Sequence, residues 1–318
     1  MIGGKKGTMF SHVLKLPHYT ARDGGLYFLG DRIRELSAEA VSLHQALPHS
    51  LSAADELPPL ALLELVKARA VFICDPPQKP PANAPRLVVI SPHMDDAIFS
   101  VGGLLLRLAS IYRIHIISLF SIDPYTTLRK LKTDLSWLQI LRNLEESCAT
   151  SVIHATTVQM AWKDALLRSY QEITDQIHRD EPLVYYTNEL STQFQHNPDL
   201  VLCPVGITHV DHRLTRMLIE QLKQTKVLNN TPVFYYEDLP YASGQTLDYP
   251  DNVQSIAVLL TDDELILKKK LVKTYLTQMN PGLMGNILHH KQGQERLWCY
   301  IDDKVSNAYM QKSFQAGR

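Results

Sequence analysis

The chain is poor in cysteine and lacks a dominant charge. Its four cysteines, Cys74, Cys148, Cys203 and Cys299, are scattered without a CxxC pair. That excludes a disulfide framework and a thiolate zinc site. Cys203 falls in an apolar stretch and reads as a small buried hydrophobe. The formal net charge is −1, so no global field would draw nucleic acid or an anionic membrane. No charge-free apolar run is long enough to span a bilayer. The most hydrophobic window, 101–120, contains Arg107, Arg113 and His115. No apolar h-region follows Met1-Ile2-Gly3-Gly4-Lys5-Lys6, so no secretory signal is read and a cytoplasmic protein is expected. What is present is a chain of 318 residues, 45% apolar, enough for one large domain or two smaller ones.

Proline is locally abundant. Five prolines fall within the eleven residues from Asp75 to Pro85, a composition that forms neither helix nor central strand and reads as a stiff, extended linker. It divides a small N-terminal domain, residues 1–80 with the linker running to 85, from a large one, residues 86–318. In the large unit strands are predicted at 87–91, 114–120, 151–155, 200–203, 232–236 and 255–260. Helices are predicted at 98–113, 135–150, 164–180, 213–224 and 262–278. Such alternation predicts an α/β fold, a Rossmann-like, mostly parallel sheet with helices on both faces. Thr261-Asp262-Asp263-Glu264 reads as a capping-box start. In the small unit, strands at 26–29 and 32–36 precede a helix capped by Ser37; a second helix at 60–68 precedes a strand at 70–73.

The most informative segment is Ser91-Pro92-His93-Met94-Asp95-Asp96, between the apolar run Leu87–Ile90 and a helix-like stretch. A second cluster, Gly206-Ile207-Thr208-His209-Val210-Asp211-His212, follows the apolar stretch Leu200–Cys203. In open α/β sheets, ligands bind at the carboxyl ends of strands, and histidines with carboxylates at two such ends suit a metal ion with a base beside it. His93, Asp96 and His212 form the natural ligand set, leaving a fourth position for water. Consecutive residues do not easily face one point, so Asp95 is left to take a proton from that water, whose pKa zinc lowers to about 7. His209, if protonated, would stabilise an oxyanion or protonate a leaving amine, and Asp211 would orient a histidine. The competing structural readings are helix capping by Asp95, Asp96 or Asp211 and ordinary surface or core histidines. The matched grouping weakens them here, whereas His115, His178, His289 and His290 receive the structural reading.

His93-Met94-Asp95-Asp96 and His209-Val210-Asp211-His212 resemble the His-Pro-Asp-Asp and His-x-Asp-His motifs of the PIG-L / LmbE-like metal-dependent de-N-acetylases. The likeness extends to Arg142-Asn143-Leu144-Glu145, Asp164-Ala165-Leu166-Leu167-Arg168, Pro204-Val205-Gly206, Tyr236-Glu237-Asp238-Leu239-Pro240-Tyr241-Ala242 and Glu295-Arg296-Leu297-Trp298, and so covers about residues 86–300. Met94 replaces the usual proline and Ala97 a frequent glutamate. A tyrosine that some members carry before the second motif is Ile207 here, with Tyr235, Tyr236 or Tyr241 as substitutes. The resemblance implies zinc, or another divalent transition metal, on His93, Asp96 and His212. It also implies Asp95 as general base, His209 as the oxyanion-stabilising acid, and hydrolysis of an N-acyl group, usually on an amino sugar. Arg168, Glu237, Asp238 and Tyr241 are the expected substrate contacts.

The strand–strand–helix–helix–strand pattern of the small unit is similar to a PqqD-like winged-helix peptide-recognition module. That likeness implies a peptide or carrier gripped by residues 1–80. No basic run accompanies the recognition-helix candidate, which argues against nucleic acid. The function expected is a zinc-dependent deacetylase acting on a small N-acylated molecule, an amino sugar or a glycosylated natural product. The alternatives are a zinc amidase on a modified peptide and a non-catalytic peptide-binding protein with a degenerate metal site.

Overall fold

A computed structural model of the protein describes residues 11–54, 57–245 and 252–313; the segment Met1 to Lys6, read above for a signal, lies outside the described residues. The N-terminal unit contains β1 (His12–Lys15), β2 (Tyr19–Arg22), β3 (Gly25–Phe28), β4 (Asp31–Glu35), α1 (Ala38–Ala46), β5 (Leu51–Ala53), α2 (Pro59–Lys67) and β6 (Val71–Cys74). β1 lies between β5 and β6, antiparallel to both, and β2, β3 and β4 form an antiparallel meander. The Ser37 hydroxyl accepts the Ala40 N–H and starts α1, as its sequence position suggests. β1, β2 and β5 are additions to the pattern read from sequence. Each has three or four residues, too few for alternation to register. Residues 75–85 form neither helix nor strand.

The larger unit runs β7 (Arg86–Ser91), α3 (Asp96–Leu108), β8 (Arg113–Ser118), α4 (Leu135–Val152), β9 (Thr156–Gln159), α5 (Leu183–Ser191), β10 (Leu200–Pro204), α6 (Val210–Gln224), β11 (Val233–Tyr236), β12 (Val253–Val258), α7 (Asp262–Val272), α8 (Pro281–Leu288), β13 (Glu295–Tyr300) and α9 (Lys304–Ser313). Its seven-stranded sheet has the order β12-β13-β11-β10-β7-β8-β9. The five strands from β11 to β9 pair in parallel, and β13 and β12 close one edge antiparallel. Along β7, Leu87 and Val89 enter one apolar core and Val88 and Ile90 the other. Burial on both faces accounts for the unbroken apolar run.

Connectivity leaves β7 towards β8 and β9, then returns to β10 on its other side. The sheet order reverses between β7 and β10, the place where such folds bind ligands. These two strands are hydrogen-bonded neighbours, with Val88 opposite Val201. The two histidine segments are 115 residues apart in sequence, yet both emerge from adjacent strands at the same sheet edge.

Three predicted elements are corrected. The strand placed at 151–155 belongs to α4 and its end. His154 takes φ 52°, and the bonds His154 N–H to Ser151 C=O (3.2 Å) and Ala155 N–H to Thr150 C=O (3.0 Å) close the helix in a Schellman arrangement. The helix placed at 164–180 is a single 3₁₀ turn, Ala165–Leu167. The Ala165 N–H is spent on Asp211 (3.0 Å), and Ser169 at φ 75° turns the chain out of helical geometry. The helix placed at 262–278 begins with the expected capping box but stops at Val272, and Tyr275 and Thr277 beyond it bind carboxylates of α4. No helix among the described residues is long and apolar enough to cross a membrane.

Candidate active site

The turn after β7 is built by small polar contacts. The Ser91 hydroxyl donates to the His93 carbonyl (2.5 Å) and accepts the Ala97 N–H (3.0 Å). Asp95 occupies the N-cap position of α3 without a side-chain capping bond, so its carboxylate is not spent on the helix. The turn after β10 depends on Gly206, at φ 81°. A Cβ there would lie 3.0 Å from the His212 carbonyl oxygen and from the Arg216 Cβ, which leaves glycine the fitting residue. Asp238 Oδ2, following β11, accepts the Gly206 and Ile207 N–H groups (2.8 and 2.7 Å). His209, not Asp211, caps α6: its Nδ1 accepts the Asp211 N–H at 3.1 Å.

These turns bring His93, Asp96 and His212 together. Asp96 Oδ2 lies 3.2 Å from His93 Nδ1 and 3.1 Å from His212 Nε2. His212 is fully buried, and among the described residues neither of its ring nitrogens has a hydrogen-bond partner of proper geometry. A buried unsatisfied imidazole is costly, and coordination of an ion would satisfy it. The separations approach the roughly 3.3 Å between ligand atoms of a tetrahedron with bonds of about 2.0–2.1 Å. Two imidazoles and a carboxylate therefore fit a divalent transition ion.

The surrounding groups orient this set. His93 Nε2 meets Asp164 Oδ2 at 3.2 Å and Asp211 Oδ2 at 3.1 Å, the carboxylate support usual for a ligating histidine. His212 Nδ1 faces Asp238 Oδ1 at 3.6 Å. Asp95 Oδ1 receives Arg142 at 3.4 Å, and the same guanidinium grips Asp123. Burial, then the charge of Asp96, raise the Asp95 pKa to about 7. The His209 ring lies 4.9 Å from that of His93 and 5.3 Å from that of His212. Burial first, and these imidazoles next, lower its pKa to about 2. With Nδ1 accepting from Asp211, the neutral ring carries its hydrogen on Nε2.

Three expected substrate contacts are occupied otherwise. Arg168 donates to Asp211 Oδ1 (2.7 Å) and Glu181 (3.1 Å). Glu237 is 2% exposed and accepts from His290 (2.7 Å), Lys291 (2.7 Å) and Trp298 (3.2 Å). Asp238, with no exposed surface, supports His212 and the Gly206 turn. Tyr241 differs: its ring stands 5.0 Å from His212 and 5.8 Å from His209. Asp164, Asp123 and the role of Arg142 escape sequence reading. Asp164 reads as a helix start, and its DAxxR context was the available signal.

The family model described as PIG-L: GlcNAc-PI de-N-acetylase matches residues 88–223. Residues 88–223 are a PIG-L domain. The match runs from β7 to α6 and contains both histidine motifs. No curated protein matches the chain. Among solved structures, the PIG-L domain and its surroundings are similar to the A40926 pseudoaglycone deacetylase, at 20% identity and TM-score 0.52, over 68% of this chain and 97% of that one. They are similar also to a deacetylase of the teicoplanin biosynthesis pathway solved as a bog complex, at 20% identity and TM-score 0.54, over 69% of this chain and 100% of that one. The zinc-inhibited form of teicoplanin deacetylase matches at 20% identity and TM-score 0.53, with the same coverage. At this identity the likeness shows the fold.

Proposed function

We propose that the chain is a metal-dependent N-deacetylase that removes an acetyl or other acyl group from the amine of an amino sugar or glycosylated natural product. The observation that carries this reading is the convergence of His93 and His212 on one oxygen of Asp96, with Asp95 and His209 beside them. The PIG-L match supports the hydrolytic class. When bound, zinc or another divalent ion would polarise the amide carbonyl and lower the pKa of water to about 7.

The remaining chemistry belongs to side chains. Asp95, held by Arg142, takes a proton from the attacking water and returns it to the departing nitrogen. His209 donates from Nε2 to the carbonyl oxygen as its charge grows. The C–N bond breaks, leaving a carboxylic acid and a free amine. Asp164 and Asp211 fix the orientation of His93, and Asp238 that of His212. Tyr241 is the proposed substrate contact. Among the three candidate tyrosines, the Tyr235 hydroxyl is spent on Glu220 (2.7 Å) and that of Tyr236 on the Ile90 carbonyl (2.7 Å). A cytoplasmic setting belongs to this proposal, as does recruitment of a peptide or carrier by a PqqD-like unit at residues 1–80. For the latter, the exposed Leu60 and Leu63 of α2 are the candidate surface.

The test is acetate release from a panel of N-acetylated amino sugars, glycosides and peptides. Turnover of a sugar or glycoside is expected, and Asp95→Asn should slow it about 10²–10⁴-fold with metal still bound. Absence of release across the panel, or an undiminished rate in Asp95→Asn, would remove the proposal.

A further inference from the structure

A buried polar seam joins residues 12–74 to the PIG-L domain. His18, on the turn before β2, is 2% exposed, and its Nε2–H donates to Glu145 Oε1 at 2.5 Å. Glu145, in α4, has no exposed surface. Oε1 also accepts the Thr277 N–H (2.8 Å), and Oε2 accepts the Thr277 hydroxyl (2.5 Å). A buried carboxylate is tolerated only when its lone pairs are filled, and of the three donors His18 supplies the one from the N-terminal unit.

Two routes lead from Glu145 to the reacting centre. Along α4 it stands one turn after Arg142, which is 1% exposed and donates to Asp95 at 3.4 Å. Through Thr277 it reaches the loop after β8: the Thr277 carbonyl accepts the Thr126 hydroxyl (2.8 Å) and the Thr127 N–H (2.8 Å). That loop carries Asp123, the second carboxylate on Arg142. One carboxylate thus fastens both the helix that presents the guanidinium and the loop that clamps it.

We propose that His18 is a positioning residue for the deacetylase reaction. Through Glu145 it fixes α4 and residues 123–127, and so holds Arg142 against Asp95. The N-terminal unit is then an integral support of the site. The inference rests on the reading of Asp95 as the base. His18 touches no reacting atom, and its contacts do not include His93, Asp96 or His212, so its loss should disturb catalysis and leave the metal ligands in place.

The experiment compares full-length wild type, His18→Ala, His18→Gln and the control Ile33→Ser, at an exposed position of β4. It measures kcat and KM for acetate release, calorimetric zinc affinity, and amide hydrogen exchange. His18→Ala should lower kcat about tenfold or more, with KM and zinc affinity nearly unchanged and faster exchange confined to 123–127 and 135–152. His18→Gln retains an N–H donor and should recover most of the rate, and Ile33→Ser should match wild type. If His18→Ala does not fold, Glu145→Gln keeps the shape, weakens the contact and must show the same pattern. Wild-type kcat and exchange in a folded His18→Ala would overturn the inference, as would loosening of the whole chain with loss of zinc. If wild type hydrolyses no acetamide, the functional reading fails on its own, and the exchange comparison still decides whether His18 fixes α4.

Discussion

A buried carboxylate facing an imidazole does most of its work without touching substrate, and Asp238 illustrates this. It takes two backbone N–H groups of the Gly206 turn and faces His212 Nδ1. Asp238→Asn should therefore weaken zinc binding about 10–100-fold, read by calorimetry, with the chain still folded. Undiminished affinity would place its role in the turn alone. Sequence reading assigns Asp238 to substrate because a polar residue near a motif carries no mark of which way it faces. The same limit affects Arg168 and Glu237. By contrast, His93, Asp95, Asp96, His209 and His212 are legible: each lies in a short motif abutting an apolar strand, so the strand end places them. Asp123 comes from a loop that no motif marks and Asp164 from a segment whose periodicity misleads, and only the folded chain puts them beside Arg142 and His93 respectively.

At the scale of elements, α3 shows how local departures are fixed by distant groups. Val101 leaves helical geometry (φ −128°, ψ 19°), and the N–H groups of Gly103 and Leu104 turn to Glu295 at 2.8 and 2.7 Å. The Lys268 ammonium completes that carboxylate at 2.6 Å. A Cβ on Gly103 would fall 2.4 Å from the Leu260 side chain, so close packing accounts for the glycine. Glu295→Ala should cost about 3–5 kcal/mol of stability, since it strands a buried ammonium and two amides. An equilibrium denaturation curve checks this, and a shift under 1 kcal/mol would refute it. Helices with long periodic faces, such as α4 and α6, are legible from sequence. β13 is not among the predicted strands: its apolar run Leu297-Trp298-Cys299-Tyr300 opens on the charged Glu295 and Arg296, and no alternation of polar and apolar residues marks it. The false helix at 164–180 has the opposite cause: its periodicity is overruled once Asp211 and Arg168 claim the backbone and side chains that would sustain it.

At the scale of the whole molecule, strand order explains why two distant motifs make one site. β7 and β10 are neighbours at the reversal of the sheet, so the turns that follow them open onto the same edge. The N-terminal unit contributes Leu14 to the core of the larger unit and His18 to the seam behind α4. The parallel strands β7, β8, β10 and β11 thus follow from alternation and apolar runs, whereas the seam joins single residues far apart in sequence and leaves no pattern to read. The central claim is that His93, Asp96 and His212 hold one divalent ion. Calorimetric titration of metal-free wild type and Asp96→Asn with Zn²⁺, Fe²⁺ and Co²⁺ tests it most directly. One site per chain in wild type, abolished or weakened at least about a hundredfold in the variant, is the predicted result. No stoichiometric binding in wild type, or equal binding in Asp96→Asn, would contradict it.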